Sequence, residues 1–443
     1  MRRKSLLLML AALLLVHVEV GAQTRTVKKF SPNTDSTVSE MTVFLKAVSK
    51  SYTKDADTLS LFFSEHWPEW SSAQQVSFLQ LANEMLQKRL KPFPHFKAFI
   101  HTYQAFVESA PNKTQEKGFC QSMSVLIGRS SNQFEDMMKR YRKIITEKEI
   151  NSFTSTVHWY ARNSMNYQFV CDSVPKVVFP YLDLVGTNGK DSVVIHQTSG
   201  SYDPINQKFY GKDGVVDWIR AGLAPNEIYV EIKQYAITLK APNIAIENVL
   251  YYDFRYFAKP QLGKLEDKAV NTPITEEDAT YPRFTSYDRD ILIHGLYEDV
   301  DYRGGVFVRG NRFLGQGTPD HMARLVFYRE GKPALIGRST SFLLKKEHIE
   351  SSLCAVSLFV EEDSIYHSAI QLRYNVPKKD LWLIRGKDGS QRMPFFNTYH
   401  QLEMYEEAIH WEMNTAAIEF TSIPGNAESK EAVFESANFF EEG

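Results

Sequence analysis

Apolar positions along the chain change period near Pro175. Before it they recur at helical spacing; after it, short β-type runs repeat as far as Ile384, broken by Gly, Asn, Asp and Pro. The pattern predicts an α+β multidomain chain, with an N-terminal α-helical bundle followed by a β-rich body. The divisions it implies are a signal peptide over residues 1–22, a helical domain over 23–168 and a β-rich domain over 176–396. A helix–strand–helix segment over 397–443 would begin a further domain.

In the front, Thr37-Val38-Ser39-Glu40 reads as a capping box, with Met41, Phe44, Leu45 and Val48 on one helical face. Ser72 opens a second helix carrying Val76, Leu79, Met85, Leu86 and Leu90, and Pro94 starts a third with Phe96, Phe99, Tyr103 and Phe106. A fourth run, residues 134–145, turns Met137, Met138 and Tyr141 inward. Short links between such helices favour an antiparallel bundle or helix-pair stack.

In the body, strands are predicted over 176–184, 192–197, 215–218, 228–239 and 244–252, then over 290–294, 305–308, 324–328, 355–360, 369–376 and 381–384. Two of these runs change phase. Val230 and Ile232 share a face that Tyr235, Ile237 and Leu239 do not, and Ile244 and Ile246 give way to Val249 and Tyr251. Side chains alternate with period two, so each slip marks a bulge or a corner. Short strands with corners suit an irregular β-solenoid-like stack. A β-sandwich of hairpins is the alternative, supported by turn chemistry at Lys212-Asp213-Gly214, Glu330-Gly331-Lys332 and Lys387-Asp388-Gly389. Residues 260–286 read as a polar excursion, and Thr398 as the cap of a late helix running to Met413. A strand then follows at 418–423, and a helical pattern from Ser429 continues to the last residue, which suggests a longer natural protein.

Arg2, Arg3 and Lys4 precede an apolar stretch over 6–16, and Val20-Gly21-Ala22 offers a cleavage site, the form of a removable export signal. The apolar stretch is shorter than the roughly 20 residues a spanning helix needs, and no later stretch would cross after the signal is removed. The formal net charge of −2 gives no reason to expect nucleic acid as a partner. Cys120, Cys171 and Cys354 permit at most one internal disulfide, and their spacing fits no zinc site.

Chemistry-bearing patterns are weak. Gly186-Thr187-Asn188-Gly189-Lys190-Asp191 has the look of a phosphate loop, but its glycines are too close and Asp191 stands where a hydroxyl would hold magnesium. Gly315-Gln316-Gly317 lacks a third glycine. Glu403, Glu407 and His410 have the spacing of half a di-metal carboxylate site on a helix, with no second half in the chain. Trp67, Trp70, His66, His95 and His101 read as packing at helix ends. Asp288, Asp290, Asp299, Asp301, Arg303 and Arg309 cluster in sequence near candidate strands, a pattern open to glycosidase carboxylates and equally to charges flanking turns. The run from Tyr251 to Phe257 offers a sugar-stacking platform or an alternation of core and outer face.

No catalytic, cofactor or metal residue is therefore assigned. The reading is an exported, non-enzymatic envelope or cell-surface protein with a scaffold, adhesive or binding role, its partner a polysaccharide or another envelope protein. It would sit in the periplasm, on the outer surface or outside the cell. The alternatives are a carbohydrate-active enzyme on the same β-rich scaffold and a periplasmic carrier of an apolar ligand. Sequencing the N-terminus of protein recovered from a native host should find Gln23 first. Recovery of Met1 on membrane-bound material would overturn the cleavage expectation.

Overall fold

The computed structural model describes residues 27–164, 166–271, 275, 278–421 and 433–436. The expected signal peptide and Gln23 lie outside them, as do Glu276 and Glu277 of the polar excursion. So does the helical pattern from Ser429, except for a short strand at Phe434–Ser436. A helical front followed by a large antiparallel β body is formed.

The helices are α1 (Thr34–Lys46), α2 (Thr53–His66), α3 (Ser72–Gln87), α4 (Lys97–Glu108), α5 (Lys113–Ile127) and α6 (Ser131–Glu147). Asn33, not Thr37, caps α1: its side chain accepts from the Asp35 amide at 3.0 Å. Thr37 lies one turn inside, its hydroxyl donating to the Asn33 carbonyl at 3.2 Å. A full capping box opens α3 one residue early, with Ser71 and Gln74 bonding each other's backbone, and Asn112 and Gln115 do the same for α5. Aromatic rings fill the space between helices. Trp70 meets Tyr103 at 4.9 Å and Phe78 meets Phe99 at 5.1 Å between centroids. The Trp70 indole donates to Gln104 at 2.6 Å, so its polar end is satisfied.

Two compact units divide the chain, and they alternate along it. One holds the helices up to Glu147 together with Gln168–Lys176; the other holds Lys148–Tyr167 and everything from Val177. Lys148–Tyr167 thus group with the strands of the second unit. The strands β1 (Glu149–Ser152) and β2 (His158–Arg162) pair with each other, and β2 pairs with β4 (Pro175–Thr187). Between them β3 (Gln168–Cys171) belongs with the helices, where Phe169 packs on Phe119 at 5.2 Å and Tyr141 at 5.0 Å. Its backbone approaches α5 at Gly118, where an added Cβ would lie 1.8 Å from the Phe169 carbonyl oxygen.

In the β unit, β4 continues to β5 (Ser192–Asp203), β6 (Lys208–Lys212) and β9 (Gln234–Thr238). A second series starts from β7 (Val215–Asp217), β8 (Ile228–Glu231), β10 (Asn243–Asp253) and β11 (Gln261–Lys268). The phase slip in 228–239 is a corner: β8 pairs with β7 and β10, whereas β9 pairs with β6. That in 244–252 is a bulge, with the register against β11 shifting between Ile246 and Val249 and Asn248 at φ +58°. The polar excursion is partly strand, because β11 and β12 (Arg283–Ser286) pair within it.

Further on come β13 (Ile291–Tyr297), β14 (Val300–Arg309), β15 (Arg312–Gln316), β16 (Ala323–Arg329) and β17 (Lys332–Ser339). After them run β18 (Ser341–Leu344), β19 (His348–Val360), β20 (Asp363–Asn375) and β21 (Asp380–Ile384). The long strands change partners midway. The first half of β14 lies between β13 and β16, the second between β12 and β15. The start of β19 pairs with β18, its later part with β17. The two resulting layers face each other: Phe327 of β16 meets Tyr374 of β20 at 4.9 Å. Pairings between the described strands run antiparallel. The body is therefore built of hairpins in two layers, and no rung-on-rung solenoid forms among the described residues.

The late helix is also replaced by strands. These are β22 (Phe395–Asn397), β23 (Leu402–Met404), β24 (Ala408–Glu412) and β25 (Glu419–Thr421), with Phe434–Ser436 as β26. Leu381 of β21 pairs with Trp411 of β24, and that cross-strand partnership outweighs the helix propensity of the local Glu, Met and Ala residues. Because β3 needs the space at Gly118, Gly118→Ala should destabilise the helical unit by about 1–3 kcal/mol or more, the cost of overpacking a closed contact. Thermal unfolding followed by circular dichroism at the helical wavelength measures it; an unchanged midpoint would refute the close approach.

Candidate functional site

The phosphate-loop resemblance dissolves into a turn. Residues 188–191 join β4 to β5, the Asn188 side chain accepting from the Lys190 and Asp191 amides at 2.9 Å each. Asp191 in turn receives Arg220 at 2.6 Å, and Arg220 also bonds the buried Asp267. Gly186 lies beneath the Trp159 ring and no helix follows it. Gly315 sits in β15 under Tyr302, again with a strand rather than a helix beyond.

The clustered carboxylates are each engaged locally. Arg303 donates in a fork to Asp290, from Nε at 2.6 Å and Nη2 at 2.5 Å. Asp301 accepts from the Gly295 amide at 2.8 Å, with His294 at 3.1 Å and the Tyr328 hydroxyl at 3.3 Å. Asp299, at φ +61° in the β13–β14 turn, holds Lys379 at 2.8 Å, and Glu298 holds the same ammonium at 3.2 Å. Asp288 accepts from the Asp290 amide at 2.8 Å. The hydrogen bond from Arg303 holds Asp290 below the usual carboxylate range. Partial burial works to raise Asp301, but the Gly295 amide and His294 outweigh it and bring it below that range too. A glycosidase acid needs the opposite, a raised carboxyl that keeps its proton near neutrality.

Glu403, Glu407 and His410 do not share a helix face. Glu403 lies on β23 and accepts from the Tyr405 hydroxyl at 2.8 Å, while His410 lies on β24. His410 sits instead between Asp380 at 2.5 Å and Glu419 at 3.2 Å, stacked on Trp382 at 4.3 Å. No group of three His, Cys, Asp or Glu among the described residues is placed to hold a metal ion. Of the helical candidates, Trp67, Trp70 and His95 are buried, and His95 accepts from the Lys91 amide at 3.1 Å. The three cysteines are free thiols; burial raises all of them, Cys354 to about 12, which leaves none activated as a nucleophile.

The aromatic run alternates. Tyr251 is buried, stacked on Phe284 at 4.3 Å, with its hydroxyl on the buried Asp253 at 2.9 Å. Tyr252 points outward and stacks on Tyr229 of β8 at 4.7 Å, next to Phe254, which is 56% exposed. Beyond the strand, Tyr256 reaches Phe313 at 4.4 Å.

That contact borders a cleft of about 440 Å³ that sequence reading missed. The β14–β15 and β18–β19 turns share one end of the body, because Phe313 faces Leu344 in register. They bring Arg312, Lys345 and Lys346 beside Arg255. Smaller cavities of about 340 and 190 Å³ lie near Tyr399 and Lys379. The visible signal was the Lys345-Lys346 pair in a turn, but only the register joins it to Arg255. No helix among the described residues is long and apolar enough to cross a membrane. No protein-family model matches the chain, and the searches of curated proteins and of solved structures likewise found no match.

His410 furnishes a pH test. Burial lowers its pKa, but Glu419 and Asp380 raise it further, so the net shift is upward. The charged pair then stabilises the fold fully below the unfolded value of about 6.5. That contribution is lost as pH rises through the higher folded value. Melting of His410→Gln against the parent should differ most at acidic pH and converge in alkali; a gap widening with pH would contradict the ion pairs.

Proposed function

We propose that the chain is an exported, non-enzymatic envelope or cell-surface protein with a scaffold or binding role. The observation that carries this reading is the state of the clustered carboxylates. Asp290 and Asp301, the residues most suggestive of hydrolysis, are held ionised in local ion pairs and hydrogen bonds. A hydrolytic pair would instead face a shared space of about 5–9.5 Å with one member protonated. The export signal at residues 1–22 supports placement in the periplasm, on the outer surface or outside the cell. Exposed aromatic side chains, among them Tyr210 and Tyr366 on strands and Phe254 in the turn after β10, supply contact area for a partner.

Incubating the purified protein with a panel of neutral and acidic polysaccharides tests the reading. Binding without release of reducing ends is expected, and Asp299→Ala and Asp301→Ala should leave binding unchanged. Bond cleavage that disappears in either variant would replace this function with that of a hydrolase.

A further inference from the structure

We propose that the cleft between Arg255 and the β14–β15 and β18–β19 turns binds a segment of an acidic polysaccharide. Its anionic groups would seat on Lys345, Lys346 and Arg255. This assignment names a ligand for the binding role above and rests on that reading.

Arg255 is held in place before any ligand arrives. Its Nε and Nη2 donate to the two oxygens of Asp253 at 2.9 Å each, and its guanidinium carbon stands 5.1 Å from the Tyr256 ring centroid. Asp253 is itself fully buried and also bonded by Tyr251, so the fork has a rigid base. A donor fixed in this way loses little freedom on binding, which is where preorganisation gains affinity. Nη1 has no protein hydrogen bond among the described residues and is left for a ligand.

Charge and shape then narrow the occupant. The Arg255–Asp253 pair is neutral as a unit, so among the described lining residues Lys345 and Lys346 set the sign against Glu347. A positive cleft on a chain of net charge −2 is a local feature rather than a consequence of a basic protein. So few cations do not make the extended basic stripe that a nucleic acid backbone requires. The volume, about 440 Å³, falls in the range of organic ligand sites and exceeds what a lone inorganic anion fills. Tyr256, Phe313 and Leu344 give the cleft apolar walls. A pyranose ring bearing a carboxylate matches both parts: its C–H face suits the walls and its anion suits the rim.

The test uses the full chain and polygalacturonate oligomers, with neutral dextran oligomers, inorganic phosphate and phosphatidylglycerol vesicles as the other probes. Polygalacturonate should bind, and binding should weaken as salt is raised. Reversing both charges in Lys345→Glu/Lys346→Glu should weaken it by about tenfold or more, because paired charges at a site govern residence. Lys345→Gln/Lys346→Gln should fall between that variant and the parent. Lys332→Glu, exposed at the β16–β17 turn, should leave binding unchanged. Both lysines are exposed, and unaltered melting of the variants confirms that they fold. Equal binding of neutral dextran, preferential binding of vesicles or of phosphate alone, or indifference to the charge reversals would overturn the assignment. Should only neutral glycans bind, the ligand class fails while the binding role stands. Should polygalacturonate bind and be cut, the site stands and the non-enzymatic reading falls.

Discussion

A strand that serves two layers must satisfy its backbone hydrogen bonds twice, against different neighbours, and the β body depends on that constraint. In β14, residues Val300 to Arg303 pair with β16 while Gly305 to Arg309 pair with β15. The change of partner requires a bend, and the bend requires backbone contact that side chains would obstruct. Gly304 and Gly305 lie at the changeover, where an added Cβ on Gly304 would meet the Tyr302 hydroxyl and Ala323. In β19 the change falls between Ser351 and Val356, where the register against β20 shifts twice. These irregularities let one continuous antiparallel ladder fold over itself, so that Gly337 of one layer lies near Leu372 and Phe342 of the other. The turns that follow from this register include those that line the cationic cleft.

Buried charge reinforces the same geometry. Asp253 and Asp267 lose their water, and an isolated buried carboxylate would cost several kcal/mol. Arg255 answers the first with a fork, and Arg220 answers the second while also holding Asp191 in the β4–β5 turn. Arg220 thereby ties a turn that resembles a phosphate loop to the strand β11. The resemblance has a structural origin: Asn188 and Gly189 are there to make the turn tight, and Asp191 is there to receive a guanidinium.

The helical front and the β body were legible because hydrophobic period survives in a single sequence. So were the two phase slips, each as a bulge or a corner, since a one-residue slip moves apolar side chains to the wrong face unless the backbone compensates. The late segment was misread because Glu403, Glu407 and His410 fit helical spacing, while the pairing of β24 with β21 is set by residues some thirty positions away. His410 finds Asp380 for the same reason. The solenoid expectation failed at a comparable point: corners in short strands suit parallel rungs and folded hairpins alike, and only partner identity separates them. Of the cleft only the Lys345-Lys346 pair was legible, because Arg255, Arg312 and Lys345 belong to three different turns.

The distribution of charge gives the functional reading its physical sense. Acidic and basic residues are nearly balanced, 53 against 51, yet they are used differently at the strand ends and in the cleft. Asp290, Asp299 and Asp301 sit at strand ends beside the cations and amides they engage, which lowers their proton affinity where a shift is resolved and removes them from acid–base work. Lys345 and Lys346 sit in a turn where, among the described residues, no carboxylate is held across from them by a salt bridge. A lysine side chain in that position keeps its hydration and its reach, so its charge remains available for an external anion. Neutralised carboxylates and available cations on one scaffold favour capture of an acidic ligand over its hydrolysis.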